Sequence, residues 1–465
     1  MSNNNPIIVG LDIGTTKIAA IAGRKNEYGK LEILGFGRAG SNNAVQHGQV
    51  LNIDNAVLAV KEAMAACRKS NPNLNISEVY VGIAGHHIKS LQTRGDLVRQ
   101  ELENEISQLD VDKLIADQRK TYIPAGDQII DVIPQEFNVD NFQNIKNPIG
   151  YSGVKLGANF HIITGDKYAI RNITRAVNRS ELSIKDIVLQ PLASADAVMC
   201  DHDLEAGVAI LDIGGGTSDL AVFHEGILKH TAVIPFGGEN ITNDIKTGLG
   251  VLKSQAEAMK VQFGSALAQE AKANAIITIP GIRGMQPKQV SVKTLAQIIQ
   301  ARMSEILDFV IYHLKQVGMD NKQLNGGIIL TGGGSQLKHL IQLTEYQTGL
   351  NARIGYPNEH LSSGYIDELT KPMYSTCIGL ILKGYSDFER KKKEFVTSNT
   401  EMHISVPEQF MAPEAATAPV LEERPDADTA VIPVAIGEHR KRSIWDKLKD
   451  SVYDIFKEED ETELK

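Results

Sequence analysis

From Ile7 to Gly14 the chain is an almost unbroken apolar run, IIVGLDIG, and after the polar TTK a second run, IAAIAG, follows. Continuous apolar runs of this length predict strands of a sheet covered on both faces, so the pair reads as strand, turn, strand. A helical spacing begins at Asp54, the expected N-cap, and continues through AVLAVKEAMAACRKS before ISEVYVGIA (76–84) returns to strand. From residue 85 to 165 the texture changes. IKSLQTRGDLV and QIIDVIPQEFNV alternate around one polar helix, VDKLIADQRK, with IKNPIGYSG as a turn, which predicts an inserted small α+β domain.

The first texture resumes with the helix YAIRNITRAVNRS and the apolar IKDIVLQPLASADAV, and then the opening repeats itself. Asp12-Ile13-Gly14-Thr15-Thr16 recurs as Asp212-Ile213-Gly214-Gly215-Gly216-Thr217, each copy between two apolar strands. This is an internal duplication of a strand-hairpin-strand unit, and a duplication of this kind bears on the whole fold. A third glycine turn, Thr331-Gly332-Gly333-Gly334-Ser335, follows the run GGIIL and is expected to open the helix QLKHLIQLTEY.

These turns have the chemistry of an anion cradle. Glycine lets main-chain N–H groups approach a polyphosphate, and Thr or Ser hydroxyls add donors at the same place. An aspartate at the end of each hairpin's first strand cannot bind phosphate, but it can hold Mg²⁺ through water, because Mg²⁺ prefers carboxylate and phosphate oxygens and keeps several waters. Asp12 and Asp212 are therefore the expected metal residues. Two homologous turns plus a third point to a phosphate-bearing ligand, although the chain has no GxxxxGK[ST] motif of the Walker type.

Charge and composition narrow the partners. The chain of 465 residues has a net charge of −9, which argues against a nucleic-acid-coating protein. Cys67, Cys200 and Cys377 are far apart and without CxxC spacing, so they read as small buried hydrophobes in a reducing compartment. No signal peptide is expected at the start, and no run reaches the roughly 18 apolar residues of a spanning helix. Residues 389–442 carry KKK and then Pro407, Pro413, Pro419, Pro425 and Pro433 among Ala, Thr, Glu and Asp, which predicts a disordered linker spanning about 35 to 45 Å.

After the linker, Ser443 is the expected N-cap of a helix over 443–457. Ile444, Trp445, Leu448, Val452, Ile455 and Phe456 share one sector of it, while Asp446, Lys447, Asp450 and Asp454 lie opposite. Residues 439–457 hold six Lys/Arg and three Asp, hence +3 within a chain at −9, and the only tryptophan stands beside the basic cluster. Trp with Arg and Lys suits the surface of an anionic leaflet. The six apolar side chains give a gross drive of several kcal/mol, which supports reversible attachment strengthened when several helices act together. The acidic stretch 458–463 is expected to weaken that binding.

The hairpins and the third turn resemble the actin, Hsp70 and sugar-kinase superfamily, and IPQE, IKNPIG, SGV, DIGGGT, ILTGGG and STCIGL stand in the order of the FtsA family of bacterial cell-division proteins. The resemblance covers about residues 7 to 386 and the terminal helix. It implies the α/β class and an actin-like duplicated two-lobed ATPase fold with an inserted small α+β subdomain, a disordered C-terminal linker and a terminal amphipathic helix. Its parts would be lobe 1 over 7–84, 166–204 and 371–388, the insert over 85–165, and lobe 2 over 205–370 with a small sublobe at about 245–320.

The resemblance further implies ATP with Mg²⁺ in the cleft. Gly14, Thr15, Thr16, Gly214, Gly215, Gly216 and Thr217 would hold phosphate, Gly332, Gly333 and Gly334 the adenosine, and Gly238, Glu257 and Lys260 the nucleotide side of lobe 2. Gln190 would position the attacking water, and since an amide is a poor base, hydrolysis would be slow at most. Arg302 and Glu305 would meet the C-terminal tail of the tubulin-like division protein FtsZ. The implied protein is a filament-forming adaptor, peripheral on the cytoplasmic face of the inner membrane at the septum, that binds itself, anionic lipid, FtsZ and later division proteins. Two rivals remain open, an actin-like adaptor of the type IV pilus apparatus and a small-molecule kinase of the superfamily.

Overall fold

A computed structural model describes residues 5–401 except 73, 100–103, 273, 282–285, 320–321 and 363–366. The chain opens with β1 (Ile8–Ile13), β2 (Lys17–Lys25) and β3 (Leu31–Gly40), a short hairpin of β4 (Val45–Gln46) and β5 (Gln49–Val50), then α1 (Ile53–Ser70) and β6 (Glu78–Ile83). The insert is β7 (Lys89–Val98), α2 (Gln108–Gln118), β8 (Asp127–Val139), β9 (Phe142–Ile145) and β10 (Lys155–Asp166), a sheet in the order β7-β10-β8-β9. Next come α3 (Lys167–Arg179), β11 (Ser183–Leu189), α4 (Gln190–Val198) and α5 (Asp201–Ala206).

The second half contains β12 (Val208–Ile213), β13 (Ser218–His224), β14 (Ile227–Ile234), α6 (Gly238–Leu249), α7 (Lys253–Phe263), β15 (Ile276–Ile279), β16 (Lys288–Ser291), α8 (Val292–Gln316) and β17 (Ile328–Thr331). It closes with α9 (Leu340–Thr348), β18 (Ala352–Ile354) and α10 (Ser375–Glu401). The duplication read from the repeated hairpins is written into the topology. One five-stranded sheet runs β11-β6-β1-β2-β3 and the other β18-β17-β12-β13-β14, each with its central strand paired antiparallel to a hairpin partner and parallel to a later strand.

The apolar runs that predicted strands are buried along their whole length: every residue of β1 and of β12 is buried, as a strand covered on both faces must be. On one face of the first sheet, Ala56, Val60, Ala63 and Met64 of α1 and Ile170, Ile173 and Val177 of α3 fill a common core. On the other face α4 and α10 form a core that takes in Val208, Ile210 and Ile329 of the second sheet, so this cluster joins the lobes. Burying a side chain of this size is worth about 1.5–3 kcal/mol. The two helices approach so closely that a Cβ on Gly379 would stand 1.6 Å from the carbonyl oxygen of Ala193.

Local details differ from the sequence expectations. The N-cap of α1 is Asn52, whose side chain accepts from the Asn55 N–H at 3.0 Å, and Asp54 sits inside the first turn, where it favours the positive end of the helix. Cys67 and Cys377 are buried, but Cys200 is exposed at the turn between α4 and α5. After the third glycine turn a single 3₁₀ turn (Gly334–Gln336) intervenes. α9 begins only at Leu340, because His339 before it is left-handed at φ 61° and a right-handed helix cannot run through that residue. α10 runs on to Glu401 through thirteen positions of the expected linker (389–401), because ERKKKEF supplies good helix formers and the first proline comes at 407. The remaining linker and the terminal helix, with Ile444, Trp445, Leu448, Val452, Ile455 and Phe456, lie outside the described residues. Among the described residues no helix is long and apolar enough to cross a membrane.

Candidate functional site

The two sheets bring their hairpin turns to one cleft. Each turn closes in the same way, the Gly14 N–H donating to Lys17 O at 3.0 Å and the Gly214 N–H to Thr217 O at 2.9 Å. The cleft is lined by Asp12, Gly14, Thr15, Thr16, Gln190, Asp212, Gly214, Gly215, Gly216, Thr217, Gly332 and Gly333, which the sequence assigned to phosphate, metal, water or adenosine. Glycine is required at 332: φ is 81°, and a Cβ would come within 2.2 Å of the Asp212 carboxylate.

Asp12 and Asp212 stand at the ends of β1 and β12 and are both buried. Gln190, the first residue of α4, donates its amide N–H to Asp12 Oδ1 at 3.0 Å, while Lys17 Nζ lies 3.5 Å from Oδ2. That bond fixes the amide and leaves its carbonyl as an acceptor, the arrangement needed to orient water without acting as a strong base. Asp212 is held from the opposite lobe. Ser194 of α4 donates to Asp212 Oδ2 at 2.5 Å and Thr376 of α10 at 3.2 Å. Burial raises the Asp212 pKa, the hydroxyl bond from Ser194 opposes that, and the charge of Asp12 adds to it.

The residues fit a hydrated Mg²⁺. All donors are oxygens, and Asp219 Oδ1, whose residue also lines the cleft, is buried without a hydrogen-bond partner. Burial, then the neighbouring Asp212, pushes the Asp219 carboxyl well above the usual range. Among the described residues no cluster of three or more His, Cys, Asp or Glu is placed to chelate a metal directly. Asp12 and Asp212 would therefore hold Mg²⁺ through water, and its charge would favour the ionised Asp212 carboxylate against its burial.

Other assigned residues stand behind the lining or away from it. The Gly238 N–H donates to Gly214 O at 2.9 Å, and Lys260 Nζ donates to Gly238 O at 2.8 Å and pairs with Glu257 at 2.8 Å. Gly238, Glu257 and Lys260 thus buttress the second hairpin from α6 and α7 rather than line the cleft, and Gly334 starts the 3₁₀ turn against Ile213. Arg302 and Glu305 lie on α8. The Arg302 fork is engaged by Asp244 of α6 (Nε 2.6 Å, Nη2 3.0 Å), it also pairs with Glu305, and it stacks over Phe236 at 5.0 Å.

Four further residues reach the site from remote elements. Ser194 and Thr376 are described above; Gly48 lines the cleft; and His47 Nδ1 lies 3.3 Å from Gly216 O, joining the tip of the β4–β5 hairpin to the opposite lobe. The HG pair at a left-handed turn (φ 46° and 77°) is the only sequence signal for this hairpin. The IPQE phrase has a structural role: Gln135 donates to Leu228 O at 2.6 Å and Glu136 pairs with Lys229 at 2.5 Å, tying the insert to β14.

The model for "Cell division protein FtsA" matches residues 209–379, and that for "SHS2 domain inserted in FTSA" matches 85–164. The chain is 34% identical over 422 residues to the cell division protein FtsA of Pseudomonas aeruginosa, covering 90% of this chain and 96% of the relative. It is 37% identical over 381 residues to that of Neisseria meningitidis, covering 82% and 91%. The chain belongs to the FtsA family. A solved structure titled "PilM-PilN type IV pilus biogenesis complex" superposes with a TM-score of 0.59 at 14% identity, covering 81% of this chain and 98% of that one, and shares the two-lobed actin-like fold. In this FtsA-family chain, the insert that the SHS2 model matches is the part that the Gln135 and Glu136 contacts tie to the second lobe.

Proposed function

We propose that this cell-division protein of the FtsA family binds ATP with Mg²⁺ between its lobes and, as a filament, links the FtsZ ring to the cytoplasmic face of the membrane at the septum. The observation that carries the nucleotide reading is the convergence of three glycine turns and two buried aspartates on one cleft. When bound, Mg²⁺ would neutralise charge on the phosphates. Thr15, Thr16, Thr217 and the turn N–H groups would bind the phosphates, and Gln190, held by Asp12, would orient water, so turnover would be slow.

The tail supplies the membrane link through Trp445, Leu448 and their apolar neighbours. Arg302 would meet the acidic FtsZ tail by exchanging Asp244 for a partner carboxylate, since its fork is already filled in the free protein. Later division proteins are the expected partners of the insert. Titration of Mg·ATP into the protein by calorimetry tests the central reading: saturable binding that needs Mg²⁺ is expected, and no heat at high protein concentration rules it out. Capture by an immobilised FtsZ tail peptide, lost in Arg302→Glu, tests the partner, and a blue shift of Trp445 fluorescence on anionic vesicles tests the anchor.

A further inference from the structure

We infer that the outer face formed by α3 and the first half of α1 is a second membrane contact, lying on anionic lipid. Ala169, Ile170, Ile173, Ala176 and Val177 of α3 are buried in the core of lobe 1, and this spacing turns Lys167, Arg171, Arg175 and Arg179 outward together. The helix holds no Asp or Glu between its ends; Asp166, the N-cap, spends its carboxylate on the Tyr168 and Ala169 N–H groups. Arg179 pairs with Asp54 at 2.7 Å, whereas Lys167, Arg171 and Arg175 have no ion pair among the described residues. Arg171 instead lies over the Tyr168 ring at 5.7 Å.

α1 packs beside α3 and adds exposed Lys61, with Glu181 as its partner at 3.1 Å. Across α3 with its N-cap, the first half of α1 and Glu181, five basic side chains (Lys61, Lys167, Arg171, Arg175, Arg179) stand with three acidic ones (Asp54, Asp166, Glu181), a local +2 on a chain of −9. Large apolar side chains stand among these charges: Leu58 is 66% exposed, Leu51 57% and Tyr168 68%. Arginines and lysines with leucines and a tyrosine on one exposed face suit headgroups above an acyl boundary, and neither the nucleotide cleft nor the pocket lined by Leu340 and Tyr356 includes a residue of this face. The inference rests on the membrane reading of the tail and deepens it: two contacts carried by one chain would strengthen each other on the same lipid.

Co-sedimentation of the full chain with phosphatidylglycerol/phosphatidylcholine vesicles, against phosphatidylcholine alone, tests it. Arg171→Glu with Arg175→Glu should lower the apparent affinity for the anionic vesicles by about tenfold or more and flatten its salt dependence, leaving melting temperature unchanged. The milder Arg171→Gln with Arg175→Gln should give a smaller loss in the same direction. Unchanged affinity in both overturns the proposal, whatever the tail does. Trp445→Glu with Leu448→Glu separates the two readings, because loss there with no loss in the α3 variants leaves the anchor standing and removes this face. Binding of poly-glutamate that falls in the α3 variants while vesicle binding does not would replace lipid by an acidic peptide.

Discussion

At the first hairpin the turn glycine is followed by Thr15 and Thr16; at the second, Gly215 and Gly216 occupy the equivalent places. The reason lies across the cleft. A Cβ on Gly215 would stand 2.5 Å from the Thr16 methyl, and one on Gly216 would stand 2.5 Å from the Thr15 hydroxyl. The two turns interlock, so side chains on one demand their absence on the other. The facing strands differ as well: Asp12 is registered against Ala19, whereas Asp212 is registered against Asp219, and the cation Lys17 has Thr217 as its counterpart. A duplicated motif has been divided into a half that supplies hydroxyls and a cation and a half that supplies open backbone and a carboxylate pair.

The largest effect is expected from making the second turn a copy of the first. Gly216→Thr sets a branched side chain against Thr15 and the backbone of His47, and should cost about 3 kcal/mol or more, seen as a lower melting temperature together with lost nucleotide binding. A variant that melts and binds as the parent does would mean the lobes do not interlock. Next is Asp212→Ala, which should weaken Mg·ATP at least tenfold in calorimetry, with a smaller loss for Asp12→Ala, since Lys17 would still serve that side of the phosphates. Equal losses would erase the division between the halves.

Asp219→Ala, which copies Ala19, should stabilise the nucleotide-free protein by about 1–3 kcal/mol at neutral pH, the scale of a buried group left unsatisfied. Its sign follows from linkage. The folded carboxyl titrates above its unfolded range, so its contribution is present at low pH and is lost as pH rises above about 4. The gain in the variant should therefore grow from about pH 4 towards pH 7 in chemical denaturation, and a gain independent of pH would place the effect elsewhere. The smallest effect belongs to Thr16→Ala, which keeps the Cβ and loses one hydroxyl and one methyl: about 1 kcal/mol or less in stability by the same measurement.

Much of this architecture is open to reading from the chain alone. Asp-Ile-Gly after a doubly buried strand names the hairpins, and their repetition names the two sheets, because backbone approach and burial are local demands on residue type. The contrast between GTT and GGGT is visible in the chain, but its cause is not, since interlocking is a property of two turns that lie 200 positions apart. Ser194, Thr376 and His47 escape a sequence reading for the same reason: an ordinary hydroxyl or imidazole acquires a role only when α4, α10 or the β4–β5 hairpin carries it to the cleft. The extension of α10 escapes it because composition alone makes Lys and Glu read as solvated linker, when the same residues are good helix formers.

The close passage of Gly379 over Ala193 has a mechanical consequence. α4 leads out of the first sheet and α10 returns to it, so both covalent bridges between the lobes meet at one spot where backbone touches backbone. Sliding the lobes apart there would break the packing of backbone on backbone, whereas a swing of one lobe about that contact would keep it.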